Sequence, residues 1–127
     1  MELTPGLIGR VSIVVDDLDT AKAFRSSDVP VLATPRVVAL MEEATCKAIE
    51  GKLGEGMTSV GVRVQIDHIA PTVPGRSIGA EALLQQVEGR RLTFSVKTTD
   101  SNGLLAVGVI TRVVVDRAHF LEKAQPK

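Results

Sequence analysis

The stretch TPRVVALMEEATCKAIEGKLG, residues 34–54, reads as the one substantial helix of the chain, and the other elements follow from having to cover it. Thr34 then Pro35 is a helix start: a hydroxyl at the cap, then a proline whose missing N–H costs nothing in the first turn. Gly51 and Gly54 supply stop signals. At about 100° per residue, Val37, Val38, Leu40, Met41, Ala44, Thr45, Ala48 and Ile49 share one broad face. Arg36, Glu43, Lys47 and Glu50 gather opposite, with Glu43 and Lys47 spaced as an i,i+4 ion pair. Glu42 falls beside Val38 and Ile49, at the edge of the apolar arc, and a carboxylate bordering a core needs a partner or has a task.

Outward from the helix the chain reads as strands. Residues 7–15, LIGRVSIVV, form a first strand with Val11, Ile13 and Val15 on one face, ended by Asp16 and Asp17. Leu18 to Phe24 reads as a short helix or turn, and Arg25 to Ala33 as a polar loop that turns apolar toward the helix. Val31 and Leu32 there either line a pocket or pack under the helix start. Met57 to Ile69 alternates, with Val60, Val62, Val64 and Ile66 on one face, His68 continuing it, and Ser59, Gly61, Arg63, Gln65 and Asp67 on the other. Pro71 and Pro74-Gly75 force a loop. Ile78 to Val87 is a third strand, and Leu92, Phe94 and Val96 mark the inner face of a fourth. Asp100-Ser101-Asn102-Gly103 is a tight-turn signal. Leu104 to Val115 is a fifth strand, apolar on both faces, so it is central or covered by a partner chain.

The order is strand, long helix, then four strands on hairpin-length connections: an α+β fold whose antiparallel sheet must bury the helix against one face. A sheet curling around one central helix is the hotdog architecture. Residues 1–127 suit a single domain, with 1–6 and 121–127 expected to fray. A lone sheet of this size leaves an edge and a two-sided strand uncovered, so a homodimer is expected, with further pairing to a tetramer open.

Formal net charge is zero, and there is no Trp, no Tyr and only three Phe, which excludes a basic footprint or stacking platform for nucleic acid. No apolar run is long enough to span a bilayer. Cys46 is the only cysteine and no secretory segment opens the chain, so a cytoplasmic protein is expected, with Cys46 a buried structural thiol in mid-helix. Two distant histidines make no metal-site spacing, the glycines make no dinucleotide fingerprint, and no cofactor is expected. Gly61, inside a strand, marks a place where a ligand or the helix approaches the backbone. Arg90 and Arg91 follow a turn and are either solvated hairpin charges or phosphate binders.

Three residues carry the chemistry: Thr34, Glu42 and His68. Singly they read as a helix cap, a rim carboxylate paired with an arginine, and a satisfied core histidine. Together, pointing between helix and sheet, a hydroxyl, a carboxylate and an imidazole are the parts of an acyl-transfer site.

From about Val31 to Phe120 the chain resembles the fluoroacetyl-CoA thioesterase type of hotdog hydrolase. The resemblance is carried by VLATPRVVALMEEA (31–44), GEGMTSVG (54–61), DHIAPTVPG (67–75), VEGRRL (87–92) and TRVVVDRAHF (111–120). It implies an acyl-CoA thioesterase with Thr34, Glu42 and His68 as the catalytic set, Gly61 beside the acyl group and Arg112 near the CoA. Thr34 would attack the thioester or position a water, and His68 would transfer protons. Glu42 would orient His68 or act as base. One departure stands out. The family uses bulky aromatic residues before the helix to shield a small pocket, whereas Arg25 to Ala33 holds no aromatic and places Val29, Val31 and Leu32 there. That points to an ordinary short-chain or aryl acyl-CoA. The competing readings are a non-catalytic acyl-CoA binding module and a hotdog enoyl-CoA hydratase; retention of all three polar residues favours the hydrolase over the former, and the threonine weighs mildly against the latter.

Overall fold

In the computed structural model, which describes residues 3–127, one antiparallel sheet curls around a helix, α2 (Thr34–Ala48). The strands are β1 (Ile8–Val14), β2 (Met57–His68), β3 (Ser77–Glu88), β4 (Arg91–Asp100) and β5 (Gly103–Asp116), in the spatial order β1-β3-β4-β5-β2. A short helix α1 (Ala21–Phe24) precedes α2, and α3 (Arg117–Lys123) follows β5. This is the hotdog arrangement expected from the sequence.

The core lies between α2 and the concave face of the sheet. Val37, Leu40, Met41, Ala44 and Ala48 of the helix pack on Ile78, Ala80, Ala82 and Leu84 of β3, Leu92, Phe94 and Val96 of β4, and Ala106, Ile110 and Val114 of β5. Small residues bring the helix close. A Cβ at Gly9 of β1 would collide with the Ala44 carbonyl and the Ala48 backbone, so only glycine lets the edge strand lie against the end of the helix.

Several local expectations change. Helix α2 ends at Ala48, short of Gly51, whose φ of +74° closes the following turn. Its cap position is Ala33, with Thr34 already inside the helix, so the Thr34 hydroxyl caps nothing. The start is held by tertiary contacts instead: the Ala33 N–H donates to Asp19 O at 2.9 Å, and Arg36 Nε donates to Asp19 Oδ1 at 2.8 Å. Arg36 is therefore half-buried rather than on the solvent face. Lys47 pairs with Glu50 at 3.6 Å instead of with Glu43. Cys46 is exposed, because it sits between the buried ridge at Ala44–Thr45 and the solvent face at Lys47.

The alternation expected along β2 breaks at Val62. A bulge shifts the register between Gly61 and Arg63, so that Gly61 pairs with Arg112 and Arg63 with Thr111. Ser59 and Gly61, opposite Val114 and Arg112, now share the helix-facing side with Val64, Ile66 and His68, while Val60 turns outward opposite Val113. The connection from β2 to β3 is also no hairpin, since those strands are not neighbours. Residues 69–76 cross the opening of the sheet past the start of α2, where the Leu32 N–H donates to Thr72 O at 2.9 Å. The doubly apolar β5 is interior, flanked by β4 and β2.

Parts of the two stretches expected to fray make contacts or regular structure. Leu3 packs on the core and the Gly6 N–H donates to Leu84 O at 2.8 Å; residues 1–2 lie outside the described part of the chain. At the other end the Asp116 side chain caps α3 by accepting from the His119 N–H at 3.0 Å, so residues 117–123 are helical.

Candidate active site

The first turn of α2 and the last residue of β2 meet where the crossing loop begins. There the Thr34 Oγ1 lies 2.8 Å from His68 Nδ1. The neutral imidazole accepts the hydroxyl hydrogen at Nδ1 in the tautomer that keeps its own proton on Nε2. Nε2 is buried and meets no partner among the described residues. Burial lowers the His68 pKa below the ordinary imidazole value of 6.5, and the Ala70 backbone opposes this more weakly. The shift favours the neutral ring, the form that accepts a proton. Beside it Val31, Ile69, Ala70 and Pro71 complete a largely apolar, open cavity of about 240 Å³.

Glu42 stands in a second cluster. It lies eight residues beyond Thr34, which at the helical rise is about 12 Å along the axis. Its Oε2 is 3.8 Å from Arg112 Nη1, too far for a hydrogen bond but close for opposite charges. Arg112 is only 7% exposed and is fixed by Ser59, with Nε donating to Ser59 Oγ at 2.9 Å and Nη2 to Ser59 O at 3.0 Å. A Cβ at Gly61 would lie 2.5 Å from Glu42 Oε2. The strand therefore comes directly under the helix carboxylate.

Of the residues singled out from sequence, Thr34 and His68 touch, and Glu42, Gly61 and Arg112 form a neighbouring group. Val31 borders the His68 cavity. Leu32 is 1% exposed and packs in the core beneath the helix start. Arg90 and Arg91 are exposed at the β3–β4 turn and make no side-chain ion pair or hydrogen bond among the described residues. Ser59 escaped the sequence reading because uninterrupted alternation places it on the outer face. Gly61 was the available signal, since a lone glycine inside a strand marks a bulge.

A family model described as fluoroacetyl-CoA-specific thioesterase matches residues 15–118. The chain belongs to the fluoroacetyl-CoA-specific thioesterase family. Within that family, the fluoroacetyl-CoA thioesterase of Streptantibioticus cattleyicolor is 35% identical over 97 residues, 76% of this chain and 70% of the relative. A solved structure of the fluoroacetyl-CoA thioesterase FlK superposes with a TM-score of 0.89 at 30% identity, covering 98% of each chain. A hot-dog-like protein from Thermanaerovibrio acidaminovorans gives 0.87 at 30% identity, over 94% of this chain and 89% of that one.

Proposed function

We propose that this member of the family hydrolyses small or medium acyl-CoA thioesters to the free acid and CoA at a site built on Thr34 and His68. The observation that carries the reading is the 2.8 Å contact between the Thr34 hydroxyl and the His68 imidazole. Thr34 gives its proton to His68 Nδ1 as its oxygen attacks the thioester carbonyl. The C–S bond breaks and the thiolate of CoA takes the proton from His68. Water, deprotonated by the same imidazole, then attacks the acyl–Thr34 ester, its C–O bond breaks, the Thr34 oxygen recovers the proton from His68, and the acid leaves. In the variant of this route in which Thr34 holds a water, the water attacks directly and no acyl-enzyme forms. Backbone N–H groups at the start of α2, where the helix dipole is positive, are the natural oxyanion donors. Glu42, in the cluster beside the Thr34–His68 pair and not in contact with it, offers a carboxylate to hold the attacking water. Arg90 and Arg91 offer guanidinium groups that have no side-chain partner among the described residues for CoA phosphates. The chemistry needs no metal or further cofactor, because hydroxyl, imidazole, carboxylate and water complete it.

We read the enzyme as a homodimer. Support comes from β2, a sheet edge whose Val62 and Val64 are 50% and 40% exposed. The exposed, unpaired Cys46 supports a reducing compartment, which we read as the cytoplasm.

A panel of acyl-CoA and enoyl-CoA esters, followed by free thiol and by loss of the enoyl chromophore, tests the activity. Thiol release that is lost in Thr34→Ala and kept in Thr34→Ser is expected, with a mass increase of one acyl group on Thr34 if the direct route holds. Tight ester binding without thiol release would leave a binding module, and chromophore loss alone a hydratase. A folded, active monomer on sedimentation at micromolar concentration would overturn the dimer.

A further inference from the structure

We propose that Ser59 is a positioning residue, which holds Arg112 so that its guanidinium sets the place of the Glu42 carboxylate. The inference rests on the reading of Glu42 as a functional carboxylate and adds a residue that touches neither substrate nor reacting atoms.

Arg112 is a buried cation with a single carboxylate near it among the described residues, and that carboxylate, Glu42, is half-exposed and 3.8 Å away. A pair so loose does not orient a guanidinium, because no hydrogen bond between the partners fixes the angle. The orientation comes from the other side of the fork. Ser59 receives two of the N–H groups, one on its hydroxyl at 2.9 Å and one on its carbonyl at 3.0 Å. With Nε and Nη2 engaged there, Nη1 is left facing the helix and Glu42. Gly61, the next helix-facing residue of β2, leaves the space that the carboxylate occupies. The three helix-facing groups Ser59, Gly61 and Arg112 thus form one cradle for Glu42. The bulge at Val62 keeps that cradle on the same side of the sheet as His68. Removing the Ser59 hydroxyl leaves Nε without a partner in a buried setting, and the guanidinium must swing to find one.

The test is steady-state hydrolysis of propionyl-CoA by the whole protein, with thermal melts for each variant. Ser59→Thr and Ser59→Val differ only in a hydroxyl against a methyl, and both suit a strand. The cavity of about 420 Å³ that Ser59 borders has room for the added carbon. Ser59→Thr is expected to keep kcat within about twofold. Ser59→Val and Ser59→Ala are expected to lower kcat about tenfold, the scale of one lost hydrogen bond to a charged group, with KM changed less than about twofold. In a Glu42→Gln background the same Ser59→Ala change is expected to alter kcat by less than about twofold, because the group it positions is gone. Full additivity of the two substitutions, or equal loss in the Thr and Val variants, would overturn the proposal. So would Ser59→Ala kinetics matching the parent while Glu42→Gln is impaired, and that pattern would leave the role of Glu42 standing. A Glu42→Gln enzyme as active as the parent would remove the underlying reading and the positioning role together.

Discussion

Gly61 of β2 lies directly beneath Glu42 of α2, and a Cβ on the glycine would come within 2.5 Å of the carboxylate Oε2. Real carbon atoms do not approach so closely, so Gly61→Ala must displace the carboxylate. The backbone of Gly61 does not adopt a positive φ, and the residue is exposed at a sheet edge, so the fold should tolerate the methyl. We expect kcat to fall about 10- to 100-fold, the range for a misplaced acid–base group, with a melting temperature close to that of the parent. Kinetics and a thermal melt on the same preparation check this; unchanged kcat would show that the place of Glu42 is irrelevant.

The adjacent glutamates should behave differently. Glu43 faces solvent, and Glu42 faces Arg112. Glu43→Gln is expected to change hydrolysis little, and Glu42→Gln to slow it about 10²-fold or more. Equal effects of the two substitutions would contradict the assignment.

The pH dependence follows from His68. Its folded-state pKa is lowered by burial below 6.5, so the neutral, proton-accepting ring persists to lower pH than a free imidazole. The acid limb of the kcat/KM profile should therefore bend below pH 6.5. Stability carries the same sign: between the folded and unfolded pKa values the unfolded chain binds more protons, so stability is lost as pH falls through 6.5 toward the folded value. His68→Gln should lose the acid limb. A limb centred above 6.5 would refute the assignment of this ring as base.

Substrate preference tests the missing aromatics. Val31 borders the cavity beside His68, Val29 is 43% exposed, and Leu32 is buried in the core, so no bulky ring from residues 25–33 encloses a two-carbon acyl group. An apolar pocket separates near-isosteres by only about 1–3 kcal/mol for each methylene. We expect less than about a hundredfold preference in kcat/KM for fluoroacetyl-CoA over acetyl-CoA, and faster turnover of a larger acyl group than of either. A series through propionyl, butyryl and phenylacetyl thioesters measures it; a strong, isolated preference for fluoroacetyl-CoA would show that selectivity arises without an aromatic gate.

Periodicity and punctuation alone determined that the chain holds one amphipathic helix and five strands, that Thr34 stands at the helix start, and that Glu42 leaves the solvent face on which Glu43 lies. These are local properties: spacing sets the face, and proline and glycine set the ends. Tertiary structure decided the rest. It turned Thr34 from a cap into a partner of His68, because Asp19 and Ala33 already secure the helix start and the crossing loop brings the end of β2 alongside it. It moved Ser59 to the inner face through a bulge that adds one unpaired residue at Val62, a change no fixed two-residue period can register. It set Glu42 on Arg112, about two helical turns from Thr34, since contacts between residues far apart in the chain depend on strand register and not on spacing along it.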